Sequence, residues 1–288
     1  MYRNILVLVP TELSARPVAD GSISLAAACQ AELDALAIGY EASSIPMAAE
    51  GGAAVASIYE IERQRALERA DGALRAFERA DGALRVFEKQ AKNAGITYRC
   101  RALSALPGEA TDIVGAAARM HDLTIVSQPE TDRDSFDNSL AQETLFEAGG
   151  PVLYMPYTFK GAFTPKRIGI CWDGSRLAAR ALHDAMPFLK MAEAVTVITV
   201  NEEENVPSEA SPTHLARYLA REDISARLTS LTTEVSEIQA GILSLAADES
   251  LNLLVMGGYG HSRLKETVLG GVTHDMLRCM TVPTLMSH

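Results

Sequence analysis

The sequence has few cysteines and a deficit of positive charge, and both shortages exclude classes of function. Its four cysteines, Cys29, Cys100, Cys171 and Cys279, are scattered and form no CxxC pair. Isolated cysteines of this kind predict small core side chains rather than disulfides or a zinc site. Lysine and arginine total 26 against 37 aspartates and glutamates, for a net charge of −11. This balance argues against a nucleic-acid partner, because binding the backbone of a nucleic acid needs a broad basic face.

Long apolar runs are also missing. No stretch approaches the ~20 apolar residues that span a bilayer, so we expect no membrane partner. The opening MYRNILVLVP lacks the basic flank and longer apolar region of a signal peptide, and we expect a cytoplasmic protein. At 288 residues, 48% of them apolar and 22% charged, the chain has room for two globular domains of about 140 residues each.

Strand-like apolar runs alternate with helical segments, and the order occurs twice. The runs of the first half are Asn4–Pro10, Leu33–Tyr40, Thr97–Leu103, Asp122–Gln128 and Pro151–Tyr157. Those of the second half are Arg167–Trp172, Ala194–Asn201, Ala226–Leu231, Leu251–Met256 and Val282–Met286. This alternation predicts two doubly wound α/β domains, each a parallel sheet with helices on both faces. We place them at residues 1–158 and 166–288, joined by the Pro-flanked segment FKGAFTPK.

A short duplication lies inside the long helix predicted between residues 53 and 94. The octapeptide ERADGALR occurs at residues 68–75 and again at 78–85. Leu74, Phe77, Leu84 and Phe87 form an amphipathic stripe across the two copies. The duplication adds about 15 Å of helix. It is either a tolerated insertion that carries the helix past the domain edge or an arm for self-association.

A glycine-rich loop follows the strand LNLLVM in the second half. In an open parallel sheet, ligands bind beyond the carboxyl ends of the strands. Glycines there let backbone N–H groups approach an anion, and the helix that begins near Val272 aims its free N–H groups at the same point. Thr273 offers a hydroxyl. These features predict a phosphate site formed by Gly257, Gly260, Gly270, Gly271, Val272 and Thr273.

Two further residues converge on this face. Asp173 follows the first strand of the second half, where a carboxylate hydrogen-bonds a ribose or adenine, or holds a metal through phosphate oxygens. The alternative is that Asp173, or Ser175, caps the next helix. Val200, near the end of the second strand, offers backbone groups to a base.

The spacing Gly257-x2-Gly260-x9-Gly270, within GGYGHSRLKETVLGGVTHDML, resembles the nucleotide-binding loop of the universal stress protein family. The resemblance implies tandem Rossmann-like domains of the adenine nucleotide alpha hydrolase type. It also implies ATP, or AMP or ADP, as ligand, with or without Mg²⁺ held by Asp173. By the same resemblance, Asp173 and Val200 would face the adenosine, and the loop residues the ribose and phosphates. The family pattern has serine or threonine where this sequence has Gly271, so one hydroxyl donor of about 1 kcal/mol is missing.

The first half is a degenerate copy. Its corresponding loop, SQPETDRD, has no glycine, contains a proline and carries three acidic residues. Proline removes a donor and carboxylates repel phosphate, so we expect no phosphate ligand there. We expect this half to pair with the second through PVLYMPY and VPTLMSH, with a homodimer as a further option.

No convincing catalytic motif is present, since GxSxG, HExxH and a P-loop lysine are absent from the sequence. We therefore expect at most slow ATP hydrolysis. Three hypotheses follow. The first is a stress-response regulator that binds ATP or a related adenine nucleotide in its second half. The alternatives are a nucleotide-free protein-interaction module and a weak ATPase.

Overall fold

The computed structural model describes residues 1–41, 55–130, 132–201, 206, 208–259 and 271–288, with side chains from residue 62 onward in the second range. The strands of the first half are β1 (Asn4–Leu8), β2 (Glu32–Tyr40), β3 (Tyr98–Ala105), β4 (Leu123–Ser127) and β5 (Val152–Met155). Its helices are α1 (Arg16–Cys29), α2 (Val55–Ala94), α3 (Pro107–Ala118) and α4 (Phe136–Glu147).

The second half repeats this order. Its strands are β6 (Arg167–Cys171), β7 (Ala194–Val200), β8 (Ala226–Leu231), β9 (Leu253–Gly257) and β10 (Thr284–Ser287). Its helices are α5 (Arg176–Leu189), α6 (Pro212–Arg221), α7 (Ile238–Asp248) and α8 (Gly271–Cys279). The α/β class and the strand-helix alternation predicted from the sequence are confirmed.

Within the described residues, the ten strands form one continuous sheet in the order β3-β2-β1-β4-β5-β10-β9-β6-β7-β8. Every neighbouring pair is parallel except β5 and β10, which are antiparallel and meet at the centre. In that central pair Leu285 lies opposite Leu153. The two strands singled out in PVLYMPY and VPTLMSH are therefore the ones that join the halves.

Helices cover both faces of the sheet. One buried cluster packs α1, α2, α5 and α6 on one face, and a second packs α3, α4, α7 and α8 on the other. The strands at the centre carry apolar residues toward both faces, which is why they read as continuous apolar runs in the sequence. Tyr154, Leu153 and Leu285 at the join are fully buried.

The connection between the halves packs against both of them. Phe163, in the middle of FKGAFTPK, is buried and packs edge-on against Phe188 of α5. The Phe163 N–H donates to Ser24 Oγ of α1 at 2.8 Å. The segment thus contacts both halves, and the boundary at residues 158 and 166 stays a prediction.

The duplication in α2 places identical side chains in opposite environments. Leu84 and Phe87 are 4% and 1% exposed, whereas Leu74 and Phe77 are 55% and 42% exposed. Helix α2 begins to contact the sheet near Ala76. The Ala76 carbonyl lies so close to Gly39 of β2 that a Cβ on Gly39 would be 1.7 Å from the carbonyl oxygen. Residues 62–71 are all exposed. The extra turns therefore carry the helix beyond the edge of the sheet.

Despite the length of α2, none of the helices in the described ranges is apolar enough to cross a membrane.

Candidate functional site

Asp173 lies at the carboxyl end of β6, at the start of a tight connection to α5. Its Oδ1 accepts the Ser175 N–H at 2.9 Å, and Gly174 between them has a φ of +70°, which favours glycine. Ser175 is the N-cap of α5 and accepts the Ala178 N–H at 3.1 Å. Asp173 therefore shapes the turn while Ser175 caps the helix. Asp173 is exposed, and among the described residues its Oδ2 has no hydrogen-bond partner.

Val200 ends β7 and is held by a side-chain clamp that the sequence interpretation missed. The next residue, Asn201, has a φ of +51°, and its amide donates to the Thr233 carbonyl at 2.9 Å. The Asn201 side-chain oxygen accepts the Thr233 N–H at 3.1 Å. An asparagine directly after a strand is a recognisable signal, because it tolerates the left-handed region better than most residues.

Gly257 ends β9 against the first turn of α5. A Cβ at this position would lie 2.7 Å from the carbonyl carbon of Leu177 and 2.8 Å from the Ala178 nitrogen. Both atoms are backbone, so the strand and helix reach this distance only with glycine. Gly257 has a packing role independent of any ligand, and it brings the N-terminus of α5 to the strand end.

Two residues further on, the chain meets the N-terminus of α8. The Tyr259 N–H donates to Thr273 Oγ1 at 3.2 Å, and Tyr259 has a φ of +51°. Thr273 is buried in the first turn of α8, so its hydroxyl oxygen ties the helix to the strand end. Gly271 and Val272 begin the same helix. The predicted residues Gly260 and Gly270 lie outside the described residues.

Strand register brings the described parts of the predicted site together. Cys171 of β6 pairs with Ile198 of β7, so Asp173 lies level with Val200. Ile170 pairs with Val255 of β9, which places the end of β9 beside the end of β6. Two helix N-termini, those of α5 and α8, approach residues 257–259. Since each carries a partial positive charge, this edge favours an anion.

The chemistry of the neighbouring groups is limited. Burial raises the pKa of the Cys171 thiol to about 12, and the nearby Asp173 charge adds to the shift. That thiol stays protonated at neutral pH and is a poor nucleophile. In the part of the chain that the structure describes, no three His, Cys, Asp or Glu side chains are grouped to hold a metal. A cation here would have Asp173 and ligand oxygens as its partners.

The carboxyl ends of the first-half strands lie at the opposite edge of the sheet, because β5 and β10 are antiparallel, and this edge is occupied by the protein's own carboxylates. Asp137 Oδ2 accepts the backbone N–H groups of Thr11, Glu12 and Leu13 at 3.0, 2.8 and 3.1 Å. Tyr40, at the end of β2, donates its hydroxyl to Asp137 Oδ1 at 2.9 Å. Burial raises the pKa of Asp137, outweighing the hydrogen bonds that lower it. The donors after β1 are thus already bonded to a carboxylate.

Glu12 makes the converse contact, from the loop after β1 to the start of α4. Its Oε2 accepts the Phe136 N–H at 2.9 Å and the Ser135 hydroxyl at 2.8 Å, at the N-terminus of α4. The cavity beside Asp137 measures about 20 Å³, the size of one water molecule. A nucleotide phosphate would have to displace both carboxylates to reach these donors.

Comparison with known protein families gives a match for the second half of the chain. Residues 164–288 match the model of the universal stress protein family. The match covers the second half of the chain, from the segment that follows β5 onward. A comparison with curated proteins gave no match.

Solved structures extend the likeness to the whole chain at the level of fold. A universal stress protein from Archaeoglobus fulgidus DSM 4304 has a TM-score of 0.66 at 17% identity, covering 98% of this chain and 95% of that one. A functionally unknown protein from Pseudomonas aeruginosa PAO1 has a TM-score of 0.56 at 16% identity, covering 99% and 92%. A universal stress protein in complex with cAMP covers 43% of this chain and 96% of its own, with a TM-score of 0.33 and 19% identity.

The second half also contains a buried side chain beside Asp173 that spacing alone did not identify. Trp172, next to Asp173, is buried and donates its indole N–H to the Ala210 carbonyl at 2.7 Å. It is the single tryptophan of the chain. Its position makes it an intrinsic fluorescence reporter of this edge of the sheet.

Proposed function

We propose that the second half binds ATP or a related adenine nucleotide at the carboxyl ends of β6, β7 and β9, and that the protein acts as a stress-response regulator. The observation that carries the proposal is the approach of the α5 and α8 N-termini to Gly257 and Tyr259, beside the exposed carboxylate of Asp173. Helix N-termini supply N–H donors for phosphates, and the carboxylate supplies an acceptor for a hydroxyl or amine.

Each predicted residue has a role in this proposal. Asp173 accepts from the ribose or base through Oδ2, and Val200 offers backbone groups at the end of β7. The phosphates lie toward the loop, where Gly257, Gly260, Gly270, Gly271, Val272 and Thr273 supply close backbone contacts. If Mg²⁺ accompanies the nucleotide, the phosphates and water supply most of its ligands, with Asp173 as the protein carboxylate.

The two halves then have different functions. The second half binds the nucleotide, and the first half, whose donors after β1 are bonded to Asp137, serves as its structural partner. This asymmetry predicts one nucleotide per chain.

Isothermal titration with ATP, with and without Mg²⁺, tests the proposal, and Trp172 fluorescence provides a second signal. Losing a hydrogen bond to a charged group costs about 1.5–3 kcal/mol. Asp173→Asn should therefore weaken binding by about ten- to a hundredfold. Asp248→Asn is the matched control, because Asp248 is an exposed carboxylate at the end of α7, at the opposite edge of the sheet.

Absence of heat and of a thermal shift at millimolar ATP, ADP and AMP would refute nucleotide binding. That outcome would favour the nucleotide-free interaction module, an alternative supported by Gly271 and the self-occupied first half. Equal losses of ATP affinity in Asp173→Asn and Asp248→Asn would leave the proposal of nucleotide binding standing but would remove Asp173 from the site. Phosphate release above background, lost in Asp173→Asn, would favour the weak ATPase.

A further inference from the structure

Helix α4 of the first half packs against the strand end that forms the proposed nucleotide site of the second half. A Cβ on Gly258 would lie 2.7 Å from Leu145 Cδ2 of α4. The ring of Phe146 packs on the ring of Tyr259 with centroids 5.0 Å apart and planes tilted by 39°. Just past α4, the Gly149 carbonyl accepts a hydrogen bond from Arg180 of α5 at 2.6 Å. The C-terminal end of α4 thus contacts the chain just after β9, and the residues that follow α4 contact α5.

Tyr259 needs external support in its observed conformation. A non-glycine residue with a φ of +51° is in the left-handed region, which is unfavourable for an aromatic side chain. Such a conformation persists when its surroundings hold it. Thr273 accepts the Tyr259 N–H from the α8 side, and Phe146 packs on the ring from the first half.

The other end of α4 is fixed to the first half. Glu12 accepts the Phe136 N–H, and Asp137 accepts three N–H groups of the loop after β1. The helix is therefore held by carboxylates at its N-terminus and presents Phe146 to the second half at its C-terminus.

We infer that Phe146 is a positioning residue for the nucleotide site, so that the first half sets the nucleotide affinity of the second through α4. This inference rests on the proposed function. By holding Tyr259, Phe146 fixes the hydrogen bond that joins the chain just after β9 to Thr273 in the first turn of α8. Gly257 lies in β9 and Thr273 in α8, so loosening this hydrogen bond misplaces the N–H donors for the phosphates.

The test compares Phe146→Ala with Phe136→Ala, its matched control on the same helix. The two side chains are 47% and 48% exposed, and Phe136 packs on Tyr40 of the first half at 5.3 Å. ATP titration should show about two- to tenfold weaker binding in Phe146→Ala and no change in Phe136→Ala. Phe146→Tyr keeps the ring and should restore affinity.

Amide hydrogen exchange without nucleotide provides the second readout. The Tyr259 amide should exchange several-fold faster in Phe146→Ala than in Phe136→Ala, because its bond to Thr273 is less well held. If wild type binds ATP and Phe146→Ala binds equally well, or if Phe146→Tyr fails to rescue, the inference is overturned and the proposed function stands. If wild type binds no adenine nucleotide, both fall, even if exchange at Tyr259 responds to Phe146.

Discussion

Gly271 is the position at which a single added hydroxyl should strengthen nucleotide binding. It is the first residue of α8, it is exposed, and its φ lies outside the range that favours glycine. Among the described residues, a Cβ there would meet one atom within 4 Å, Asp275 Oδ2 at 3.7 Å, which is ordinary van der Waals contact. Serine or alanine therefore fits this position without displacing the backbone.

The expected gain follows from one hydrogen bond to a phosphate oxygen. Such bonds contribute about 1.5–3 kcal/mol when the partner is charged. The exposure of the site and the nearby Asp275 carboxylate, which competes for the hydroxyl, reduce the gain to about 1–1.4 kcal/mol. Gly271→Ser should therefore bind ATP about five- to tenfold more tightly than wild type.

Isothermal titration of wild type, Gly271→Ser and Gly271→Ala separates the hydroxyl from the added Cβ. Both variants should gain about 0.4–1 kcal/mol of ligand-free stability, because each restricts the unfolded chain. Serine alone should improve affinity for ATP, and the improvement should shrink for adenosine, which has no phosphate. Equal affinities for the serine and alanine variants would refute the placement of phosphate at the start of α8.

Three further predictions concern stability. Gly257→Ala should lower the unfolding free energy by about 1–3 kcal/mol in urea, because its Cβ would meet the Leu177 backbone; an unchanged midpoint would contradict this. Leu84→Ala should cost about 2–5 kcal/mol and Leu74→Ala about 0.5 kcal/mol or less, although both come from the same repeated octapeptide; equal costs in thermal unfolding would contradict the assigned environments. The native pKa of Asp137 is raised above its ordinary 3.8, so its stabilising contribution is complete at lower pH and is lost as pH rises through the native pKa. The stability advantage of wild type over Asp137→Asn should therefore shrink between about pH 3 and pH 6, and an advantage that grows with pH would refute the sign.

The strands could be predicted from the sequence because they are buried on both faces. The predicted runs Asn4–Pro10 and Leu251–Met256 show no regular polar alternation, and they overlap β1 (Asn4–Leu8) and β9 (Leu253–Gly257). Element ends were less accurate. Helix α4, for example, begins at Phe136 because Ser135 caps it by accepting the Asp137 N–H.

Local spacing predicted part of the site environment, and long-range contacts account for the rest. Asp173 and Val200 could be aligned because they lie at the carboxyl ends of recognisable strands of one sheet. The bond between Asp137 and Thr11 joins residues 126 apart, and Phe146 meets Tyr259 across the two halves. Such pairs leave no local pattern, because folding alone brings them together.

The central β5–β10 pair has a consequence for how this protein behaves on dilution. Two separate chains that met through four-residue strands would dissociate at low concentration. Here the segment that contains Phe163 tethers the partners, and short tethers give effective concentrations in the millimolar range. The sheet should therefore stay continuous at nanomolar protein. One half can then lose the ability to bind a ligand without weakening the β5–β10 pairing, because the covalent connection, and not ligand binding, keeps the halves together.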